Sequence, residues 1–317
     1  MFNVLKLPFL EKLMHRDSPA PLLTVPEIME LASRLRLDHQ QDDNMKTRHL
    51  YAGAEQSSHR GSGMDFVENR QYMPGDNPGH INWRLSARLG QLHTRIYQEE
   101  KQSQTLVIVD RRPSMWFGTQ KQLKVTQALN CAILTMFAAT RRHHAFAALA
   151  IDKTLHLGEF HLGENHALQQ AKQLARVDNR VDRETSCVSL KETISCAMAA
   201  YPAGNKIIVL SDFFDMDQHT TTPLTALCQQ NKVTAVYISD PAEFELPAAG
   251  SIDTFSSGDS EPVAIDTSDP LLRKEFTQSG EERKRSVLRY LAGSGASCLQ
   301  LGTNQDAWET LGALLHE

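Results

Sequence analysis

The sequence predicts an α/β protein whose core is a doubly wound, mostly parallel β-sheet with helices on both faces. Two observations lead to this prediction. From residue 105 onward, short apolar runs alternate regularly with longer helical patterns. Several of these runs are apolar throughout, which is typical of strands that are buried on both faces of a parallel sheet.

The first element is a capped helix over residues 24–37. Thr24 is suited to the N-cap, Glu27 stands where a capping box needs its acid, and Pro26 falls in the first turn. Residues 38–64 are polar and dotted with glycine, which favours a loop with short strands.

The regular alternation begins at Thr105. The predicted strands cover residues 105–110, 145–152, 154–160, 206–215, 233–240 and 297–302. The predicted helices cover residues 121–142, 165–177, 189–201, 223–231, 270–295 and 305–317, and residues 241–266 form a hairpin excursion. Because the alternation starts only near residue 100, we expect residues 1–100, with the helix and a small β-containing segment, to be separate from the sheet domain of residues 101–317.

Composition limits the classes of partner. The 317 residues carry a net charge of -5, so no bulk attraction to nucleic acid or to an anionic membrane is expected. The apolar start of the chain is short and charged, and no segment reaches the roughly 20 apolar residues of a membrane span. The five cysteines are scattered without a C-x-x-C pair, which favours a reducing, cytoplasmic setting.

Three of the apolar strands end in an acid: Asp110, Asp212 and Asp240. Ligands of open parallel sheets bind beyond the carboxyl ends of strands where the strand order reverses. If the strand order is 3-2-1-4-5-6, Asp110 and Asp212 face one crevice. The alternative is that these acids only cap the following turns, and we favour this for Asp240, which Pro241 follows.

Residues 61–116 carry a long motif, from G-S-G-M-D-F through R-Q-Y-M-P-G-D-N-P-G-H-I-N-W-R-L-S-A-R to V-D-R-R-P-S-M. This motif resembles the signature of domain-of-unknown-function family fifty-eight. The matching residues include Gly61, Gly63, Phe66, Arg70, Tyr72, Pro74, Gly75, Asp76, Ile81, Trp83, Ala87 and Arg88. The chain departs from the signature at His80, where the family has arginine. The resemblance extends over about residues 25–317.

The family resembles von Willebrand factor A-like domains, which hold a divalent ion through Asp-x-Ser-x-Ser, a threonine and a second aspartate. Asp110 and Ser114 match the first motif, Asp212 matches the second acid, and Thr185 lies in the region of the threonine. Arg112 replaces the middle serine, which removes a ligand and adds a positive charge. The sequence therefore indicates a degenerate metal site without a cofactor, in which Arg112 serves as an internal cation for Asp110 and Asp212. The alternatives are an Arg112 that points to solvent beside a dead site, and Mg²⁺ bound by Asp110, Ser114 and Asp212.

The motif at residues 70–88 combines turn-forming residues with charges and one tryptophan. We expect a structural role for it, in which Arg70, Asp76, Trp83 and Arg88 hold the N-terminal part against the sheet domain and Trp83 is a core anchor. Tyr72, Pro74 and Gly75 share this structural role in the prediction. The alternative is a surface for a partner or for catalysis.

Family members are often encoded beside MoxR-type AAA+ ATPases. The resemblance therefore implies a non-enzymatic, cytoplasmic adaptor that works with such an ATPase in the assembly or activation of other proteins. The sequence lacks H-E-x-x-H, G-x-x-x-x-G-K-[ST] and G-x-S-x-G, which agrees with a protein that is not an enzyme. The alternatives are an Mg²⁺-dependent module that captures a partner carboxylate, and a hydrolase with an unrecognised site.

Overall fold

The computed structural model describes residues 3–5, 21–35, 64–99, 104–152, 154–177, 187–248, 250–256 and 263–316. The chain divides into two compact units: Met1–Gln41 with Ser103–Glu317, and Asp42–Gln102. The expected division after residue 100 lies close to the junction at residues 102 and 103. The N-terminal helix, which the sequence analysis assigns to the segment outside the sheet domain, belongs to the unit that holds the large sheet.

The elements alternate along the chain as the apolar pattern predicts. The strands are β1 (Asn3–Leu5), β2 (Met64–Gln71), β3 (His93–Glu99), β4 (Thr105–Asp110), β5 (Phe146–Ile151), β6 (Leu155–Leu157), β7 (Lys206–Ser211), β8 (Lys232–Ser239), β9 (Ser251–Ser256), β10 (Val263–Asp266) and β11 (Ser297–Gly302). The α-helices are α1 (25–35), α2 (Trp83–Leu89), α3 (Lys124–Arg141), α4 (Glu164–Ala175), α5 (Leu190–Ala200), α6 (Gln218–Gln230), α7 (Pro270–Ser294) and α8 (Ala307–His316).

The large unit is an α/β structure on a six-stranded sheet in the order β11-β8-β7-β4-β5-β6. The strands pair in parallel except β6, which is antiparallel to β5. The expected neighbourhood of the first and fourth strands is confirmed, because β7 pairs directly with β4. The chain leaves β4 towards β5 and later returns to β7 on the other side, so the strand order reverses between β4 and β7.

Both faces of the four inner strands, β4, β5, β7 and β8, are buried, as the continuous apolar runs predict. Val107 and Val109 of β4 pack in a core with α1, α3, α4 and α8. Leu106 and Ile108, which alternate with them, pack on the other face with α5, α6 and α7. Every residue of β4 is buried, and this burial on two faces explains why the strand lacks alternating polar positions.

Several elements differ from the sequence predictions, among them β7, which ends at Ser211, four residues before its predicted end. Helix α6 begins at Gln218, five residues before the predicted start, and contains Pro223 within its first turns. Asp217 caps it by accepting hydrogen bonds from the Thr220 N–H and hydroxyl at 2.7 and 2.8 Å. The excursion after β8 does form a hairpin, β9–β10, but β1 from the start of the chain adds a third strand to it. None of the helices in the described ranges is long and apolar enough to cross a membrane.

Candidate functional site

The candidate site lies at the carboxyl edge of the sheet, where β4 and β7 run side by side. Asp110 is the last residue of β4, and Asp212 follows the last residue of β7. Because the two strands are parallel neighbours, both carboxylates lie at the same edge, in the position where open α/β sheets bind ligands. We call this place the β4/β7 crevice, and it includes the loops that follow β4, β7 and β8.

The Asp110 carboxylate is fully buried and accepts four hydrogen bonds. Its Oδ1 accepts from the backbone N–H and the Nε–H of Arg112, each at 3.0 Å. Its Oδ2 accepts from Arg112 Nη2 at 2.7 Å and from the Ser211 hydroxyl at 2.6 Å. The local sequence explains this geometry, since Pro113 disfavours helical backbone at the preceding residue and Arg112 is extended at φ -63° and ψ 164°.

The same guanidinium forms a second pair of hydrogen bonds with Asp215. Nη1 donates to Oδ2 at 2.6 Å and Nη2 donates to Oδ1 at 2.9 Å, so two carboxylates share one planar cation. Burial works to lower the pKa of Arg112, but the charges of Asp110 and Asp215 outweigh it and raise the pKa. The prediction that Asp212 is the second hydrogen-bond partner of Arg112 is therefore wrong. The loop after β7 brings Asp215, the next acid along the chain, to the guanidinium instead.

Asp212 has a different cation, Lys124, which the sequence analysis missed. Lys124 is the first residue of α3 and is only 2% exposed. Its Nζ lies 2.8 Å from Asp212 Oδ2 and 2.5 Å from Glu243 Oε1. A cation at a helix N-terminus is opposed by the helix dipole, so Lys124 depends on these two carboxylates. Burial raises the pKa of Asp212, but Lys124, with Arg112 and the hydroxyl of Ser114, lowers it below the ordinary value.

Asp240 forms no ion pair with any residue that the structure describes and is held by hydrogen bonds. It is fully buried and accepts from the Thr119 N–H at 3.0 Å, the Thr119 hydroxyl at 2.6 Å and the Thr303 hydroxyl at 2.5 Å. It also caps the turn that follows, because it accepts from the Ala242 N–H at 3.0 Å, and Glu243 completes a capping box. The prediction that Asp240 is a capping residue is confirmed.

The loop after β7 carries a large buried residue, Phe213, on left-handed backbone. Phe213 is 1% exposed and has a φ of 50°, a conformation that is rare for an aromatic residue. The Ser211 hydroxyl accepts from the Phe213 N–H at 2.8 Å while donating to Asp110, which ties the loop to β4. Phe214 is 44% exposed, and the guanidinium of Arg283 lies 4.1 Å from the centre of its ring. The tight loop thus buries one phenylalanine and presents the next.

Helix α7 passes over the loop that follows β8. A Cβ on Gly280 would lie 2.6 Å from the Glu243 carbonyl oxygen, so only glycine allows this approach. Phe117 and Leu246 form a small buried cluster there, packed by Leu272 and Phe276 of α7. At 1.5 Å per residue, the 25 residues of α7 span about 37 Å, against about 20 Å for the six residues of β11. The first half of α7 therefore extends beyond the sheet edge.

The residues present do not fit a magnesium ion as they stand. Both oxygens of Asp110 already accept two hydrogen bonds each, and those of Asp212 accept from Lys124 and from the Phe214 N–H at 3.1 Å. Within the described residues there is no group of three or more His, Cys, Asp or Glu side chains that could hold a metal. Thr185, the expected threonine ligand, lies outside the described residues.

The signature residues of the small unit form a turn at the end of β2. Arg70 Nη2 lies 2.7 Å from Asp76 Oδ1, and Asp76 Oδ2 accepts from the Met73 N–H at 2.9 Å. The Met73 N–H and Arg70 lower the pKa of Asp76. The Tyr72 hydroxyl donates to the Asp76 carbonyl at 3.3 Å, and Gly75, after Pro74, has the φ of 110° that favours glycine.

The expectation that Trp83 is a core anchor is wrong. Its side chain is 66% exposed, and Arg88 on the same helix is also exposed. The residue of α2 that packs inward is Ser86, whose Oγ accepts from the His93 N–H at 2.9 Å. The N-cap residue Asn82 sets the helix start and thereby turns Trp83, the first helical residue, away from the hairpin.

The chain is similar to a protein family, to sequenced relatives and to solved structures. The model of the family described as "Protein of unknown function DUF58" matches residues 68–286. Uncharacterized proteins of Mycobacterium bovis and Mycobacterium tuberculosis are 24% identical over 254 residues, covering 78% of this chain and 77% of each relative. The solved structures that are similar include a conserved hypothetical protein, BatB, of Bacteroides thetaiotaomicron, with 10% identity, a TM-score of 0.44 and coverage of 68% of this chain and 96% of that one. An aerotolerance-related membrane protein of Bacteroides fragilis, crystallised with multiple mutations to serine, has 9% identity, a TM-score of 0.46 and coverage of 68% and 98%.

Proposed function

Because the chain belongs to the DUF58 family, whose function is unknown, we propose that it is a non-enzymatic protein-interaction module. In this proposal it is a cytoplasmic adaptor that works with a MoxR-type AAA+ ATPase in the assembly or activation of other proteins. The partnership rests on the resemblance of the sequence to the family. The five free cysteines support a reducing compartment.

The large unit is a von Willebrand factor A-like domain in this proposal. The strand order, with its reversal between β4 and β7, supports that identity. Asp110 and Ser114 follow the spacing of the metal-binding motif at the end of β4. Open α/β sheets bind ligands beyond the carboxyl ends of their strands, which makes the β4/β7 crevice the candidate contact region.

One observation carries the non-enzymatic, metal-independent part of the proposal. The two strand-end carboxylates are each neutralised by a cation of the chain itself, Asp110 by Arg112 and Asp212 by Lys124. A carboxylate whose lone pairs are filled by fixed donors is poorly placed to act as a general base or to ligate an ion. The guanidinium and ammonium groups instead hold the loops in one arrangement, which suits a rigid contact surface.

The second candidate is an Mg²⁺-dependent module that captures a partner carboxylate through Asp110, Ser114 and Asp212. The Ser114 hydroxyl, which helps to lower the pKa of Asp212, favours it because two of the three expected ligands are then neighbours. Binding of the ion would require Arg112 to leave Asp110 and Lys124 to leave Asp212. The two candidates therefore differ in whether the wild-type protein responds to Mg²⁺.

Calorimetric titration with Mg²⁺, together with thermal unfolding in chelator and in millimolar Mg²⁺, separates the candidates. We expect the wild-type protein to give no binding heat and no rise in Tm, and Arg112→Ser to gain both. A wild-type protein that Mg²⁺ stabilises would support the second candidate and reject the first.

The adaptor role is tested by co-purification from native cells with ATP and with a non-hydrolysable analogue, where a nucleotide-dependent AAA+ ATPase is the expected partner.

A further inference from the structure

Helix α2 contacts the rest of the small unit through a narrow strip. It has seven residues, and Ser86 is the buried one. Successive residues of an α-helix are separated by about 100° around its axis, so Arg84 and Arg88 point to the side opposite Ser86. Trp83 and Ala87 lie beside them on the same outward arc. We call these four residues the α2 face.

The side chains of the α2 face are exposed and without partners among the residues that the structure describes. Trp83 is 66% exposed, and Arg84, Ala87 and Arg88 are exposed as well. Neither arginine forms an ion pair with another described residue. The helix sequence W-R-L-S-A-R-L contains no acid that could neutralise them. Two cations and an indole thus stand together in water, although tryptophan is highly buried on average.

We infer that the α2 face binds an acidic segment of a partner protein. Tryptophan and arginine are, with tyrosine, the residue types that are enriched among the hot spots of protein interfaces, and here they are adjacent in the chain. Two positive charges without a neighbouring acid are complementary to carboxylates, with which arginine forms two parallel hydrogen bonds. The indole supplies the apolar area that such a segment buries with an aromatic or aliphatic side chain.

The small number of positive charges on the α2 face favours an acidic protein segment over a nucleic acid or an anionic membrane as the partner. Helix α2 is about 10 Å long and offers two cations. Specific DNA-binding proteins make about 6–10 phosphate contacts, and lipid-binding basic clusters contain about 4–8 Lys or Arg residues. The net charge of the whole chain, -5, also opposes binding to a polyanion.

This inference rests on the proposed protein-interaction function but uses a different surface from the β4/β7 crevice. The two surfaces belong to different compact units of the chain. Arg112→Ser, which alters only the crevice, therefore serves to distinguish the two proposals. Binding at the α2 face is expected to survive in this variant whatever its response to Mg²⁺ is.

Selection from a library of random peptides displayed on phage tests the inference on the full-length protein. Selection on the wild-type protein, after removal of phage that bind Arg84→Glu/Arg88→Glu, is expected to enrich peptides that contain several acids and one aromatic residue. The most enriched peptide is then synthesised with a fluorescent label, and its Kd is measured by anisotropy at low and high salt. Arg289→Glu, a charge reversal at an exposed arginine of α7, is the matched control.

We expect Trp83→Ala and Arg84→Glu/Arg88→Glu each to weaken binding about thirtyfold, the effect of losing about 2 kcal/mol at a hot spot. Arg289→Glu and Arg112→Ser should leave the Kd unchanged. Unchanged Tm values show that Trp83→Ala, Arg84→Glu/Arg88→Glu and Arg289→Glu fold, whereas Arg112→Ser, which loses a buried ion pair, is measured well below its lowered Tm. Enrichment of peptides without acids, or equal binding by the α2-face variants, would overturn the inference. Binding of single-stranded RNA or of vesicles with phosphatidylserine, in place of the acidic peptides, would overturn it as well.

Discussion

Replacement of Arg112 by alanine is the most direct test of the internal-cation arrangement. The Arg112 side chain is 9% exposed and its partner Asp110 is fully buried, so the variant leaves a buried carboxylate with only the Ser211 hydroxyl and one backbone N–H as donors. Removal of one member of a buried ion pair costs about 3–5 kcal/mol. Asp215 is 29% exposed and is partly solvated by water, so its loss of a partner adds less.

Urea unfolding followed by circular dichroism measures this cost. With a slope of about 2 kcal/mol per molar urea, the midpoint of Arg112→Ala should fall by about 2 M. Arg112→Lys is the control that keeps a positive charge but loses the planar fork of donors, and it should lie between the wild type and the alanine variant.

A double variant identifies the cause of the loss. Asp110→Asn removes the charge that Arg112→Ala would leave unpaired, so the double variant should be more stable than the sum of the two single changes predicts. A free energy of unfolding within about 1 kcal/mol of the wild type for Arg112→Ala would refute the reasoning. Strict additivity in the double variant would also refute it, because the two side chains would then act independently.

Three further predictions concern α7, acid stability and the small unit. Gly280→Ala should destabilise the protein by about 1–3 kcal/mol, because the new Cβ clashes with the Glu243 carbonyl. Gly293→Ala, on the same helix, should stabilise the protein by about 0.5–1 kcal/mol, because a Cβ there meets no atom within 4 Å. Urea unfolding checks whether the two changes in the free energy of unfolding have opposite signs. Folding lowers the pKa of Asp212, so this carboxylate stabilises the folded protein fully above about pH 4, and the stabilisation is lost as the pH falls through the folded pKa. The free energy of unfolding of the wild-type protein should therefore fall more steeply on acidification than that of Asp212→Asn. Trp83→Ala should change the free energy of unfolding by less than about 0.5 kcal/mol, since the side chain is 66% exposed. A larger decrease, measured by urea unfolding, would indicate that the indole is buried in the folded protein.

The sequence by itself determined the layout of the large unit. Continuous apolar runs can be stable only as strands buried on both faces, and helical patterns between them require parallel pairing. This logic led to β4 and β7 as neighbours and to one edge for Asp110 and Asp212. The sequence also determined the contact of Arg112 with Asp110, because the two residues are close in the chain and Pro113 restricts the backbone between them.

Only the tertiary structure decided which charges meet across the crevice. Lys124 lies 88 residues from Asp212 along the chain, and Arg112 lies 103 residues from Asp215. The sequence does indicate that Lys124 is buried, since helical spacing places it on the buried face of α3 with Ala128. The sequence does not indicate the partners of Lys124, because a pairing between distant side chains depends on loop conformations such as the left-handed backbone at Phe213. The same limit applies to Trp83. Its large aromatic side chain suggests a core position, but the position of the start of α2 relative to the hairpin determines which side of the helix faces water.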